Sequence, residues 1–258
     1  MPRQVEKQPK LPCSGVWGGV RNLDKDINVG GVAASLYSSS CDGGKGGDIY
    51  YFGVCKDDNL TRLAIADVVG HGQAVSDVSE YIYAALKTHM CNPDSGSILS
   101  EINQIASRHG LRAMTTAAVV AYNAGRKELS VSYAGHPPVL FKHLHEETWS
   151  VAAPRPEHYE SSDRSVDIPL AVAAGATYKQ LVIPMTSGDR LFVYTDGVTE
   201  APNAANRLFG VRRLKELLDV HADAPLPQLK AAVLRALEQH TGKGLTHDDI
   251  TLIAMEIR

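Results

Sequence analysis

The chain has little of what marks a secreted, membrane or nucleic-acid-binding protein. Its four cysteines, Cys13, Cys41, Cys55 and Cys91, show no C-x-x-C spacing, which argues against a zinc site and against a disulfide framework. No apolar run approaches the ~18 residues that a spanning helix needs, so no membrane partner is expected. The N-terminal stretch MPRQVEKQPKLP lacks the apolar centre of a signal peptide, and the cytoplasm is the default compartment. There is no long basic block and the formal net charge is -3, so nucleic acid has no electrostatic claim as a partner. Neither an internal repeat nor a clear linker interrupts the 258 residues, which favours one domain.

What remains is an ordinary globular balance, with 44% hydrophobic and 21% charged residues. Residues 1–29 are polar and read as an N-terminal arm. From residue 30 onward, short Val-, Ile-, Ala- and Tyr-rich runs predict strands at 32–37, 49–54, 61–69, 114–122, 129–134, 139–144, 178–185, 190–195 and 250–257. The period changes after Gly70-His71-Gly72, where Ala74, Val75, Val78, Ile82, Ala85, Leu86 and Met90 recur at helical spacing. Further helices are predicted over 95–108, 207–218 and 226–240, and residues 145–166 read as a polar loop. Strands in tight hairpins, with helices in pairs between them, predict an α+β fold of antiparallel sheets covered by helices.

Five aspartates fall at or beside strand ends: Asp48, Asp67, Asp196, Asp248 and Asp249. Taken singly, each would be a turn former or a cap. Gathered together they would repel, by about 4 kcal/mol for a pair about 4 Å apart at an effective dielectric near 20. A pair of divalent cations removes that objection, and all-oxygen donors suit Mg²⁺ or Mn²⁺.

The flanking motifs carry a resemblance. GGD (46–48), DVVGHG (67–72), AGHPP (134–138), IPLAV (168–172), GDRLFVYTDGVTEA (188–201), LFG (208–210) and DDITL (248–252) follow one another in an order that resembles the PPM metal-dependent protein phosphatases, on their bacterial SpoIIE-like branch. The resemblance covers roughly residues 30–258 and implies a four-layer α-β-β-α sandwich with two Mn²⁺ or Mg²⁺ ions at one end. It implies that Asp67 bridges the ions and that the Val68 carbonyl is a further ligand. Asp48 would serve one ion, Asp196 and Asp248 the other, and Asp249 would be a supporting residue or a weaker ligand. Turnover would then depend first on Asp67 and Asp196. Gly46, Gly47, Gly70, Gly72 and Gly197 would let the backbone turn sharply and approach the ions or the phosphate. Two such ions generate a nucleophile from water and hold phosphoryl oxygens for in-line attack, so no Cys or Ser nucleophile is required. The implied reaction is hydrolysis of phosphoserine or phosphothreonine in a protein, with a phosphorylated STAS-domain anti-anti-sigma factor as the usual substrate. Few residues precede the match, which predicts a stand-alone catalytic module; a homodimer is left open.

Several residues keep two readings at this point. His71 beside the implied bridge could polarise a leaving group or only brace its turn. In another branch of the family a histidine two residues after the bridging aspartate is the candidate proton donor; here that place is Val69, so the general acid is open. His136 reads as a hairpin anchor and His247 as a solvated neighbour of the aspartate pair. Lys45 could meet a phosphate or remain a solvated loop lysine. Cys41 borders the site and reads as inert. DKDIN (24–28) mimics the start of an EF-hand loop, but Val29 and Ser35 stand where that loop needs Gly and Glu. Relatives carry a second acid shortly after GGD; Ile49-Tyr50-Tyr51 supplies none. A phosphoprotein-binding pseudophosphatase and a small-molecule phosphohydrolase are the rival functions on the same scaffold.

Overall fold

The computed structural model describes residues 13–29, 31–55, 59–70, 75–154, 158, 166–242 and 244–258. Two six-stranded antiparallel sheets lie face to face. The first has the order β1 (Cys13–Arg21), β4 (Lys45–Cys55), β5 (Leu60–Val68), β6 (Thr115–Asn123), β7 (Glu128–Ala134), β10 (Gln180–Pro184). The second has the order β2 (Leu23–Val29), β3 (Val32–Ser39), β12 (Ile250–Ile257), β11 (Arg190–Tyr194), β8 (Leu140–Lys142), β9 (Ser150–Val151). Helices α1 (Ser76–His89) and α2 (Ser95–Ala106) cover the first sheet, while α3 (Asp196–Thr199), α4 (Gly210–Val220) and α5 (Leu226–Thr241) lie on the second. This is the four-layer α-β-β-α arrangement that the motifs imply.

The central strands β4, β5 and β6 of the first sheet are apolar on both faces because both faces are covered. Along β4, Tyr50, Phe52 and Val54 enter the core between the sheets, whereas Ile49 and Tyr51 enter the core beneath α1 and α2. Leu63 and Ile65 alternate with Ala64, Ala66 and Val68 along β5, and Ala118, Val120 and Tyr122 alternate with Ala117 and Val119 along β6. Side chains on a strand point alternately to its two faces, so a sheet with two apolar neighbours needs an almost unbroken apolar run. The three positions after GGD that lack an acid are thus core positions on both sides. Helix α2 begins where Asp94 caps it by accepting from the Ser97 N–H at 2.5 Å. At the other end of the chain, α5 stops at Gly242 in the left-handed conformation. Among the described residues no helix is long and apolar enough to cross a membrane.

Two expectations are corrected. The N-terminal arm is not an appendage from residue 13 onward, because β1 pairs with β4 in one sheet and β2 pairs with β3 in the other; residues 1–12 lie outside the described residues. The aspartates of DKDIN are held from below: Lys230 of α5, itself buried, binds Asp24 and reaches Asp26 at 3.2 Å, while Ser35 Oγ donates to Asp26 Oδ1 at 2.5 Å. The second correction concerns the loop 145–166, in which Trp149, Val151, Ala152, Ala153 and Val166 are buried, while 155–157 and 159–165 lie outside the described residues. Trp149 is fully buried and donates its backbone and indole N–H groups to Asp219 Oδ1 and the Leu218 carbonyl, at 2.8 and 3.1 Å.

Candidate active site

The aspartates converge because adjacent strand ends carry them. Asp48 and Asp67 are direct partners in the β4/β5 register, and Thr116 of β6 is the next partner of Asp67. From the second sheet, β11 and β12 pair as neighbours. Asp196 lies just past the end of β11, and Asp248 and Asp249 lie just before β12. A hydroxyl ties the two sheets together here: Thr195 Oγ1 donates to Asp48 Oδ2 at 2.8 Å and accepts from the Thr251 N–H at 3.0 Å. Neither threonine was singled out from the sequence, although Thr195 sits within the TDG motif.

Glycines bring backbone into contact with the carboxylates. A Cβ on Gly47 would stand 2.9 Å from the Val68 and Gly70 carbonyl oxygens and 3.1 Å from Asp67 Oδ1. One on Gly197 would stand 2.0 Å from the Asp249 carbonyl oxygen. The Val68 carbonyl therefore opens onto the same small space as the Asp67 carboxylate.

The carboxylates feel one another. Burial holds Asp67 well above the usual carboxylate range, and the charges of Asp48, Asp196, Asp248 and Asp249 push the same way. Asp48 is also raised by burial, with added repulsion from Asp249 and Asp196, against the hydrogen bonds from Thr251 and Thr195 that favour its charge. Asp196 is pushed up to about 6 by burial, then by Glu200 and Asp248. A cluster of hard oxygen donors that penalises its own negative charge, beside the Val68 backbone carbonyl, fits divalent cations of the Mg²⁺ or Mn²⁺ kind. Among the described residues, no three acidic, histidine or cysteine side chains close on a single ion-sized point. The aspartates share a neighbourhood and its field rather than a finished coordination sphere.

Asp249 stands apart from the other four. Its Oδ1 accepts from the Cys41 N–H at 2.8 Å and its Oδ2 from the Gly47 N–H at 2.5 Å, so it clamps the glycine-rich turn against the start of β12. Cys41 donates its N–H to that clamp, and burial followed by the Asp249 charge pushes its thiol up to about 11, which keeps it protonated and inert at neutral pH. Lys45 forms an ion pair with Glu80 of α1. His247 binds the Gly197 carbonyl through Nε2 at 2.8 Å. Val69 is half-exposed, and its N–H donates to the Met114 carbonyl. His71 and Gly72 lie outside the described residues.

Two facing antiparallel sheets with carboxylates gathered at one end are the architecture of the PPM phosphatases. Within that class the chain belongs to the family whose model, described as Stage II sporulation protein E (SpoIIE), matches residues 57–258. The phosphoserine phosphatase RsbU of Bacillus subtilis is 24% identical over 237 residues, which make up 90% of this chain and 64% of that protein. The phosphoserine phosphatase RsbP of the same organism is 23% identical over 231 residues, 87% of this chain and 52% of that protein. The chain thus spans between about half and two thirds of the length of these curated relatives. The SiaA-PP2C domain of Pseudomonas aeruginosa superposes with a TM-score of 0.73 at 20% identity, covering 87% of this chain and 86% of that one, a likeness of fold.

Proposed function

We propose that this chain is a phosphatase that uses two Mn²⁺ or Mg²⁺ ions to hydrolyse phosphoserine or phosphothreonine in a protein substrate. The observation that supports the reading is that Asp48, buried and paired with Asp67 across β4 and β5, shares a partly buried, mutually repelling neighbourhood with Asp196 and Asp248 from the opposite sheet. In this reading Asp67 and the Val68 carbonyl would lie between the two ions, Asp196 and Asp248 would hold one of them, and Asp48 would serve the other. When bound, such a pair supplies Lewis acidity and lowers the pKa of water toward neutrality. The chain's own residues do the rest. Asp249 holds the glycine turn in place through Cys41 and Gly47, and Thr195 fixes the Asp48 carboxylate, which would meet a cation already oriented.

The names of RsbU and RsbP support phosphoserine as the target. A phosphorylated STAS-domain anti-anti-sigma factor is the substrate we propose, on the family resemblance, and the cytoplasm is the compartment. Hydrolysis of p-nitrophenyl phosphate with Mn²⁺, and its loss in EDTA, is the first test. Asp67→Asn should abolish that turnover without unfolding the chain. Mn²⁺-dependent turnover retained in Asp67→Asn would remove Asp67 from the site, and a wild-type chain with no turnover would favour the pseudophosphatase. Turnover of free phosphoserine as fast as of a phosphoserine protein would favour the small-molecule reading.

A further inference from the structure

His136 of the AGHPP turn links the two halves of the acidic cluster without touching any of its carboxylates. Its ring is fully buried between the sheets. Nε2 lies 3.1 Å from the Tyr194 carbonyl oxygen, an atom that only accepts, so Nε2 carries the proton. Nδ1 then has a free lone pair and accepts from Thr116 Oγ1 at 2.9 Å. Both partners stand beside an aspartate: Thr116 is the register partner of Asp67 on β6, and Tyr194 ends β11 two residues before Asp196. One imidazole thereby spans from the strand next to Asp67 to the strand end that presents Asp196.

The backbone around the ring is held as tightly. The Val166 N–H donates to the His136 carbonyl at 2.9 Å, and the Gly135 N–H donates to the Val166 carbonyl at 2.9 Å. Gly135 has φ of +65°, and a Cβ there would lie 2.5 Å from Pro169 Cγ, so only glycine lets the turn deliver the histidine to this place. Burial also depresses the imidazole to a pKa of about 3, so it stays neutral and keeps one tautomer at working pH.

We propose that His136 is a positioning residue that sets the distance between Asp67 and Asp196, and through it the affinity of the site for divalent cations. This rests on the metal reading above. Partners outside a coordination sphere that orient its ligands change metal affinity by about 10- to 100-fold when removed, and a shift of about 1 Å at a site of this kind has effects of similar size. A histidine that merely fills the core would alter stability and leave cation affinity alone.

The test measures Mn²⁺ binding directly, by titration calorimetry, together with thermal unfolding in EDTA. The variants are His136→Gln, which keeps a donor near Tyr194, and Thr116→Val, which removes only the hydroxyl and preserves shape. Both should weaken Mn²⁺ binding by about tenfold or more, and both should stay folded in EDTA, Thr116→Val with a melting temperature lowered by the unpaired Nδ1. Unchanged Mn²⁺ affinity in a folded Thr116→Val or His136→Gln chain would overturn the proposal and leave His136 a core residue. A wild-type chain that binds no Mn²⁺ would overturn the metal reading itself, and this inference with it.

Discussion

The raised carboxyl of Asp196 predicts that part of the candidate site works against folding until a cation arrives. Its pKa moves from the ordinary 3.8 to about 6 under burial and the charges of Glu200 and Asp248. A carboxyl raised in the folded chain binds its proton more tightly there than in the unfolded chain. Its favourable contribution is therefore present below pH 4 and is lost as pH rises through about 6. A shift of about two units, at roughly 1.4 kcal/mol per unit, opposes folding by up to about 3 kcal/mol at pH 7.5. Asp196→Asn removes the charge and keeps an oxygen to accept from the Gly197 N–H, one of the bonds that favours the carboxylate. In EDTA at pH 7.5 the variant should be more stable by about 1–3 kcal/mol, a rise in melting temperature of roughly 3–10 °C for a chain of this size. At pH 4.5, where the wild-type carboxyl is protonated, the two should melt together. Adding Mn²⁺ at 100 times its Kd should stabilise the wild type by about 2.7 kcal/mol and the variant by much less. An Asp196→Asn chain that melts at or below wild type in EDTA at pH 7.5, or that shows the same gain at pH 4.5, would refute the reasoning.

Three further outcomes are expected. Gly47→Ala should cost about 1–3 kcal/mol and weaken Mn²⁺ binding, because its methyl group would meet two backbone carbonyls at 2.9 Å and Asp67 Oδ1 at 3.1 Å; melting and calorimetry would report both. Lys230→Met keeps the buried stem but releases Asp24 and Asp26 of β2, and should lower stability by about 1 kcal/mol in urea unfolding, an effect that shrinks with added salt. Lys45→Ala should leave KM for a phosphopeptide unchanged, since Lys45 is engaged with Glu80; a clear rise in KM would return it to the substrate site.

The parts of the molecule that could be read from sequence are those whose signal is local. Apolar runs over 49–54 and 61–69 marked β4 and β5, and the helical spacing from Val75 to Leu86 marked α1, since each pattern reports which faces are covered. The aspartates were legible as an ordered set of motifs; Asp48 and Asp67 meet because β4 and β5 form a hairpin, whereas Asp196 and Asp248 depend on the pairing of β11 with β12 across the intervening helices α3, α4 and α5. What stayed hidden depends on partners distant in the chain. Lys230 is 206 residues from Asp24, and Tyr194 is 58 from His136. The double N–H clamp on Asp249 joins residues more than 200 apart in sequence, so nothing local separates it from the aspartate beside it. β1 and β2 escaped notice because edge strands have one paired side and tolerate glycine and charge: β1 carries Gly15, Gly18 and Gly19, and β2 carries Asp24, Lys25 and Asp26.

β1 and β2 also follow one another with a single residue, Asn22, between them, yet they border different sheets. The chain therefore steps from one half of the sandwich to the other there, and Asn22 Oδ1 accepts from the Ser40 N–H at 2.8 Å as it does so. A fragment trimmed to residue 30 would strip both layers at once, leaving β4 and β3 with bare hydrogen-bonding edges ready to recruit other chains. Expression of a shortened chain should therefore retain this clasp, even though the family match begins only at residue 57.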